Sequence, residues 1–368
     1  MEDRGEIDFF TTISKFDENL GHLREFLAAE GLEKNTVIIY LTDNGTSGGN
    51  RVFNAGMRGQ KGSPYEGGHR VPCYWYVPGN TSYASRGIDQ FTANIDILPT
   101  LIELCDLKKP EKAKLELSGR SLLGLMTDNE KDWQDRVHVM HQQNTLQQYT
   151  KWKTSVVATE QWRLVNKDEL YDLNNDPEQQ NNIAVRFPDV VSELQSAYEQ
   201  FWQEINEGQS PYARPIIGSG KIKETWLTCD GWIPEHPKPH TWDQKHVSKA
   251  VINDGFWPIR VAQERTYRIE VRRWPKEKDF PISGTPAAQE IPDIELNGFP
   301  VLVPEGAKMN VSTVRLKVGN KFFEKEIGEE DSFAAFEIAM KVGESQIQAW
   351  FLDDSNNQYP GYYVYISE

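Results

Sequence analysis

The chain of 368 residues is long enough for two or three domains with buried cores, which excludes a disulfide-stapled miniprotein. Its 40 Lys and Arg against 55 Asp and Glu give −15, which opposes attraction to a nucleic-acid backbone and leaves a cationic partner or a bound metal as the electrostatic theme. A hydrophobic share of 38% suits a folded protein, and no run approaches the roughly 18 apolar residues of a membrane span or forms a signal-peptide core.

From Ile7 to Ala29, Phe9, Phe10, Ile13, Phe16, Leu20, Leu23, Phe26 and Leu27 recur every three or four residues, which predicts a long amphipathic helix closed by Gly31. So apolar a face needs a partner surface that the first six residues cannot provide. Thr36-Val37-Ile38-Ile39-Tyr40-Leu41 then reads as a strand buried on both faces of a mostly parallel sheet, hence α/β. It ends in Thr42-Asp43-Asn44-Gly45, at the carboxyl end of a strand, where open α/β sheets bind ligands. Residues 71–78 predict another strand, and Ile95–Leu104 a helix with proline in its first turn.

After a charged surface excursion between Leu107 and Asp135, short strands are expected at 137–141, 154–158, 162–165 and 169–173. The apolar stripe of Val190, Val191, Leu194, Tyr198, Phe201 and Trp202 predicts a covering helix over 189–207, so this region reads as an α+β subdomain. Residues 1–135, 136–210, 211–244 and 245–368 are therefore assigned as a catalytic α/β part, the α+β subdomain, a linker and a β-rich accessory module, a sandwich or sheet appendage. Cys73, Cys105 and Cys229 match no zinc or redox spacing and are expected as buried small side chains.

Asp43 and Asn44 supply a carboxylate and an amide oxygen, hard donors suited to Ca²⁺ or Mg²⁺, although Asn-Gly is also a common turn. The loop that follows, residues 56–72, is rich in glycine and places Arg58, Lys61, His69 and Arg70 near that pair in an otherwise acidic chain. Such a site suits a tetrahedral oxyanion ester.

These residues resemble a known family. Asp43-Asn44-Gly45, Arg58-Gly59-Gln60-Lys61 and Tyr65-Glu66-Gly67-Gly68-His69-Arg70-Val71-Pro72 look like the C-terminal signature of the type I sulfatases, in the alkaline phosphatase superfamily. Asp17-Glu18-Asn19-Leu20-Gly21, residues 95–100, Gly119-Arg120-Ser121-Leu122 and Glu169-Leu170-Tyr171-Asp172-Leu173 with Asp176-Pro177 and residues 181–184 recur there in the same order. The resemblance covers about residues 7 to 205, and Gly255 to Pro275 looks like the β-rich tail of some bacterial arylsulfatases.

The resemblance implies a sulfuric ester hydrolase, with Asp43 and Asn44 as two ligands of a divalent ion, usually Ca²⁺, and Lys61 on the sulfate. It leaves Glu66 and Arg70 to brace the loop as an ion pair beside Arg58, and His69 open between loop packing and substrate contact. Family sulfatases attack sulfur with a formylglycine made in a Cys/Ser-x-Pro-x-Arg motif, and none of the three cysteines stands in one. The chain is thus expected to be the C-terminal part of a sulfatase, inactive without an N-terminal half, with a seam along its first helix and strand. A noncatalytic carbohydrate-binding or structural remnant and a phosphodiesterase of the same superfamily are the other readings. The expected partner is a sulfate ester, including a sulfated glycan, and resemblance alone points to a periplasmic or extracellular location. In the tail, Trp226, Trp232, Trp242, Trp257, Trp274, Tyr359, Tyr362, Tyr363 and Tyr365 form either a sugar-stacking surface or core.

Overall fold

A computed structural model describes residues 4–79, 87–108, 116–127, 133–142, 150–206, 212–234, 241, 244–253, 255–291, 301–303, 305–355 and 357–368. The chain forms two compact units, the first from residues 1–142 and 150–207 and the second chiefly from residues 208–368.

The first unit opens with helix α1 (Arg4–Ala29), followed by strand β1 (Ile38–Leu41). The short helix α2 (Glu66–His69) leads into β2 (Cys73–Tyr76), and α3 (Ile97–Leu104) and α4 (Leu123–Met126) follow. The β1 run forms a strand, but its setting differs from the expectation. It is half-buried, and among the described residues it pairs antiparallel with β2 alone, Ile38 opposite Tyr76 and Leu41 opposite Cys73. An apolar run reports a capacity for burial and not the direction of its neighbour. On one face Tyr40 lies between Phe16 of α1, ring centroids 5.2 Å apart, and Tyr74 of β2, at 5.9 Å.

Only part of the apolar face of α1 is covered. Leu27 is buried, whereas Ile7, Phe10, Ile13, Phe16, Leu23 and Phe26 are each close to half exposed or more. Cys73 and Cys105 are also exposed, so of the three cysteines Cys229 alone is buried as expected.

The rest of this unit follows the sequence pattern closely. Strands β3 (His138–His141), β4 (Ser155–Ala158), β5 (Trp162–Val165) and β6 (Glu169–Asp172) form an antiparallel meander in chain order. Helix α5 (Pro188–Asn206) lies on it, with Leu194 and Tyr198 packed against Val157, Leu164 and Leu170.

The second unit contains β7 (Ile216–Ile217), β8 (Glu224–Thr228) and β9 (Ile233–Pro234). The span 211–244, expected as a linker, therefore supplies strands. Helix α6 (Gln244–Ser248) is followed by β10 (Gly255–Val261), β11 (Arg265–Arg272), β12 (Gln289–Ile291) and β13 (Val301–Val303). The remaining strands are β14 (Thr313–Val318), β15 (Lys321–Glu326), β16 (Ala334–Met340), β17 (Gly343–Leu352), β18 (Gln358–Pro360) and β19 (Tyr363–Ser367).

One sheet runs β15-β14-β17-β10-β7, with β18 on β17 and β9 on β10, and a second runs β16-β11-β19-β8. Strand alternation turns Trp257, Ile259 and Val261 of β10 and Ile347, Ala349 and Phe351 of β17 into one core with Tyr267, Ile269 and Val271 of β11 and Val364 and Ile366 of β19. The tail aromatics belong mostly to this core: Trp232, Trp257, Trp274, Tyr362, Tyr363 and Tyr365 are buried, Trp226 is exposed, and Trp242 lies outside the described residues. A continuous sugar-stacking surface across these residues is not what the fold builds.

Candidate functional site

The site grows from the turn that ends β1. Asp43 is exposed and its Oδ1 accepts the Asn44 N–H at 3.0 Å, while Asn44 itself is half-buried. Two backbone bonds fix this turn to the loop that follows. Gly45 N–H donates to the Gly68 carbonyl at 3.0 Å, and Lys61 N–H donates to the Thr46 carbonyl at 3.2 Å. Lys61, exposed, is thereby held against the turn that carries Asp43 and Asn44. The loop is bound to itself as well: Gly67 N–H reaches the Arg58 carbonyl at 2.8 Å, Asn54 Nδ2 donates to the Met57 and Gly59 carbonyls, and Asn50 Nδ2 donates to Gln60 Oε1.

Glycine is required where turn and helix meet. A Cβ on Gly45 would stand 1.9 Å from the Gly67 carbonyl oxygen, a backbone atom that cannot swing away. Gly45→Ala is expected to break the Gly45–Gly68 bond at a cost of about 1–3 kcal/mol. Hydrogen exchange would report this as lost protection of the Gly45 amide, and unchanged protection would refute it.

Helix α2 is anchored by a buried carboxylate. Glu66 is 1% exposed, its N–H donates to Gln179 Oε1 at 2.8 Å, and its Oε1 accepts Arg163 Nε at 2.7 Å and faces His69 Nε2 at 3.0 Å. Arg70 is 64% exposed and stands 3.7 Å away. The expected Glu66–Arg70 brace is thus a minor contact, and Arg163 of β5, itself buried, is the main ion partner. Burial alone would raise the Glu66 pKa, but the His69 hydrogen bond and the Arg163 charge outweigh it and hold the carboxyl at about 2. This contact ties the His69 ring to the buried carboxylate.

Arg58 braces the other side. Its guanidinium lies 3.9 Å from the Tyr65 ring centroid, with Nη1 donating to Tyr171 Oη at 2.8 Å and to the Gln179 carbonyl at 3.2 Å. Tyr65 and Tyr171 both donate to Glu169 Oε2, at 2.9 and 2.6 Å. Burial and the Glu169 carboxylate push both phenols above their ordinary range, so they serve as donors.

A second buried ion pair joins two further motifs. Asp96 is fully buried and accepts both terminal nitrogens of Arg136, Nη1 at 2.7 Å on Oδ1, together with the N–H groups of Ala93 and Arg120 at 2.8 Å each. Burial opposes its ionisation, but Arg136 and the two backbone donors carry its pKa below the ordinary aspartate value. Thr100 accepts the Leu122 N–H at 2.9 Å, so the Ile95–Thr100 and Gly119–Leu122 segments interlock. Beside them burial, and then the Arg136 charge, push the His138 pKa down. Arg136, His138, Arg163 and Gln179 were not singled out in the sequence, where nothing local marks them.

Two family models match this part of the chain. A family model described as Sulfatase matches residues 8–107, and one described as N-sulphoglucosamine sulphohydrolase, C-terminal, matches residues 60–207. The chain belongs to the sulfatase family. Among similar sulfatases, an arylsulfatase of Clostridium perfringens is 25% identical over 187 residues, covering 49% of this chain and 36% of the relative. Arylsulfatase K of Bos taurus is 27% identical over 198 residues, covering 50% and 34%. An endo-4-O-sulfatase of Bacteroides thetaiotaomicron is 24% identical over 233 residues, covering 58% and 44%. The chain thus spans less than half the length of each of these sulfatases.

Members of the sulfatase family generally use a divalent metal ion, typically Ca²⁺. Asp43 and Asn44 offer hard oxygen donors of the right kind on a turn fixed at both ends, which fits two positions of an oxygen-rich coordination shell. Among the described residues no group of three or more His, Cys, Asp or Glu gathers to hold a metal. No helix of the described residues is long and apolar enough to cross a membrane.

Proposed function

We propose that the chain contributes the cation-binding and sulfate-binding loops of a sulfuric ester hydrolase. The observation that carries this reading is the pair of backbone bonds, Gly45 to Gly68 and Thr46 to Lys61, that set a lysine against an Asp-Asn turn. Asp43 and Asn44 would hold Ca²⁺, or Mg²⁺, and a cation there supplies charge neutralisation for the sulfate oxygens. The Lys61 ammonium binds the same sulfate group and opposes the charge that builds on the leaving oxygen. Glu66, Arg163, Arg58 and Gln179 keep α2 and its loop in place and do not touch the ester.

The nucleophile is not among these residues. The sequence holds no Cys/Ser-x-Pro-x-Arg from which a formylglycine could be made, and we infer that this group and the remaining cation ligands come from another segment of polypeptide. The half-exposed apolar face of α1 supports that inference. Sulfated sugars, as in the name of the N-sulphoglucosamine sulphohydrolase model that matches residues 60–207, are the proposed substrate class, and an exported location agrees with sulfated glycans.

The test compares an aryl sulfate with an aryl phosphodiester, using residues 1–368 alone and mixed with a formylglycine-bearing N-terminal segment of a related sulfatase. Sulfate ester turnover is expected only where the formylglycine motif is present, and Lys61→Ala should lower kcat by about 100-fold or more. Faster turnover of the phosphodiester, or full activity without Lys61, would overturn the reading.

A further inference from the structure

The pairing of the small sheet places one histidine among the groups that hold α2. His138 stands opposite Ala158, Ala158 opposite Arg163, and Arg163 opposite Tyr171. Residues directly opposite one another share a face of the sheet. His138 therefore lies on the face whose Arg163 grips Glu66 and whose Tyr171 meets Arg58. The other face, through Val139, Val157, Leu164 and Leu170, belongs to α5.

Two buried ion pairs adjoin one another on this face. The Phe91 ring touches both, its centroid 5.0 Å from the Arg163 guanidinium carbon and 5.8 Å from that of Arg136. Arg163 and Arg136 balance Glu66 and Asp96, while Arg70 is out in solvent. His138 is half-buried beside this set. The charged and titratable groups that face it are Arg136 and Asp96, His69 from α2, and Arg163 and Tyr171 along its own row.

No carboxylate is free to receive a proton's charge at His138. Asp96 already takes four donors, two from Arg136 and the N–H groups of Ala93 and Arg120, which fills the roughly four lone-pair positions of a carboxylate. Glu66 Oε1 is held by Arg163 and His69. Among the described residues nothing hydrogen-bonds the His138 ring. A protonated ring would be a further cation beside two guanidiniums, in a cluster where burial weakens screening.

The effect would pass to the lysine loop through the backbone. Helix α2 carries Gly68, whose carbonyl holds the Gly45 N–H, and Lys61 is bonded to Thr46 in the same turn. We propose that protonation of His138 is an acid switch on this loop: the added cation repels Arg136 and His69, loosens α2 and frees the turn that carries Asp43 and Asn44. Its consequence for sulfate rests on the sulfatase reading, whereas the loosening rests on the cluster alone.

The sign follows from the fold. Burial, and then the Arg136 charge, make the ring harder to protonate than the ordinary histidine value of 6.5, so the unfolded or opened chain takes the proton first. The neutral ring's contribution is complete above about pH 6.5 and is lost as pH falls below it, ahead of the carboxylates.

The experiment is hydrogen exchange of the full chain from pH 7.5 to 4, each rate divided by the intrinsic rate at that pH. Protection of the Gly45, Lys61 and Arg70 amides is expected to fall about three- to tenfold between pH 7.5 and 5.5, the linkage of one proton. His138→Gln should flatten the profile over this range, with the fall returning only below about pH 4.5, where Glu66 and Asp96 take over. The His138 ring resonance of the parent, which needs no variant, should titrate with a midpoint below 6.5. A midpoint at or above that value, a parent fall smaller than about threefold, or an equal fall in His138→Gln would overturn the switch. Exchange needs no substrate, so failure of sulfate ester turnover in the mixed assay removes the sulfate reading and leaves the switch standing.

Discussion

Arg163→Met is expected to destabilise the first unit by about 3–5 kcal/mol, because it leaves the buried Glu66 carboxylate without its ion partner. Methionine matches the volume of arginine's stem but carries no donor. Glu66 Oε1 would lose the 2.7 Å bond from Nε, and the Thr159 and Trp162 carbonyls would lose Nη1. His69 would remain at 3.0 Å but cannot replace a guanidinium fork. Adding Glu66→Gln to Arg163→Met should recover part of the loss by removing the buried charge. Urea unfolding of the four proteins closes the cycle. If Arg163→Met falls within about 1 kcal/mol of the parent, the pair is not what holds α2.

The same carboxylate sets an acid limit. Glu66 titrates at about 2 in the fold against an ordinary value of 4.5, so the unfolded chain takes up its proton first as pH falls. Its contribution is complete above the unfolded value and disappears as pH drops from there through about 2. The difference amounts to about 3 kcal/mol at neutral pH. Asp96, also lowered, acts in the same direction. Stability should therefore fall steeply below about pH 4.5, and the slope should be shallower in Glu66→Gln. Parallel slopes for the two proteins would assign the acid loss elsewhere. Because α2 carries Gly68, the partner of Gly45, the Asp43 turn should loosen over the same pH range.

How much of this was legible depends on the distance along the chain over which each interaction acts. Strands β3 to β6 and helix α5 lie within a residue or so of their expected bounds, because each hairpin closes locally and each apolar stripe has one face to bury. The loop of Asp43, Asn44 and Lys61 stood out through its glycines, its cations and its likeness to the sulfatase signature. The partner of Glu66 was not: Arg70, four residues on, is the local choice, whereas Arg163 lies 97 residues away and nothing around it signals a charge pair. The direction of β1 was hidden for a similar reason, since its partner β2 lies beyond a long glycine-rich loop. In the tail, period-two alternation and a sugar-stacking surface make the same demand for aromatic residues, and only packing separates Trp257, in the core, from Trp226, on the surface.

Arg273 in the second unit carries the other large expected effect. It is fully buried and its guanidinium donates to five carbonyls, Nη1 to Ile282 and Gly284 and Nη2 to Val247, Ser248 and Ala307, between 2.7 and 3.3 Å, while lying 4.6 Å from the Trp274 ring centroid. Burial lowers its pKa to about 10, so it remains charged at neutral pH. The five carbonyls come from α6, from the turn after Pro281 and from the segment at Ala307, three stretches also tied by backbone bonds from Ala307 N–H to Ser248 at 2.7 Å and from Met309 N–H to Ser283 at 3.1 Å. A planar fork of donors can serve all three, whereas a lysine ammonium has three donors at a single point and leaves carbonyls unpaired. Arg273→Lys is therefore expected to cost about 3 kcal/mol or more, despite keeping the charge. Arg273→Met should cost at least as much, which separates the geometry of the donors from the charge. Buried Trp232, Trp257 and Trp274 report the unfolding of this unit by fluorescence. If Arg273→Lys unfolds at the parent's midpoint, the charge alone is what the three segments need and the fork is dispensable.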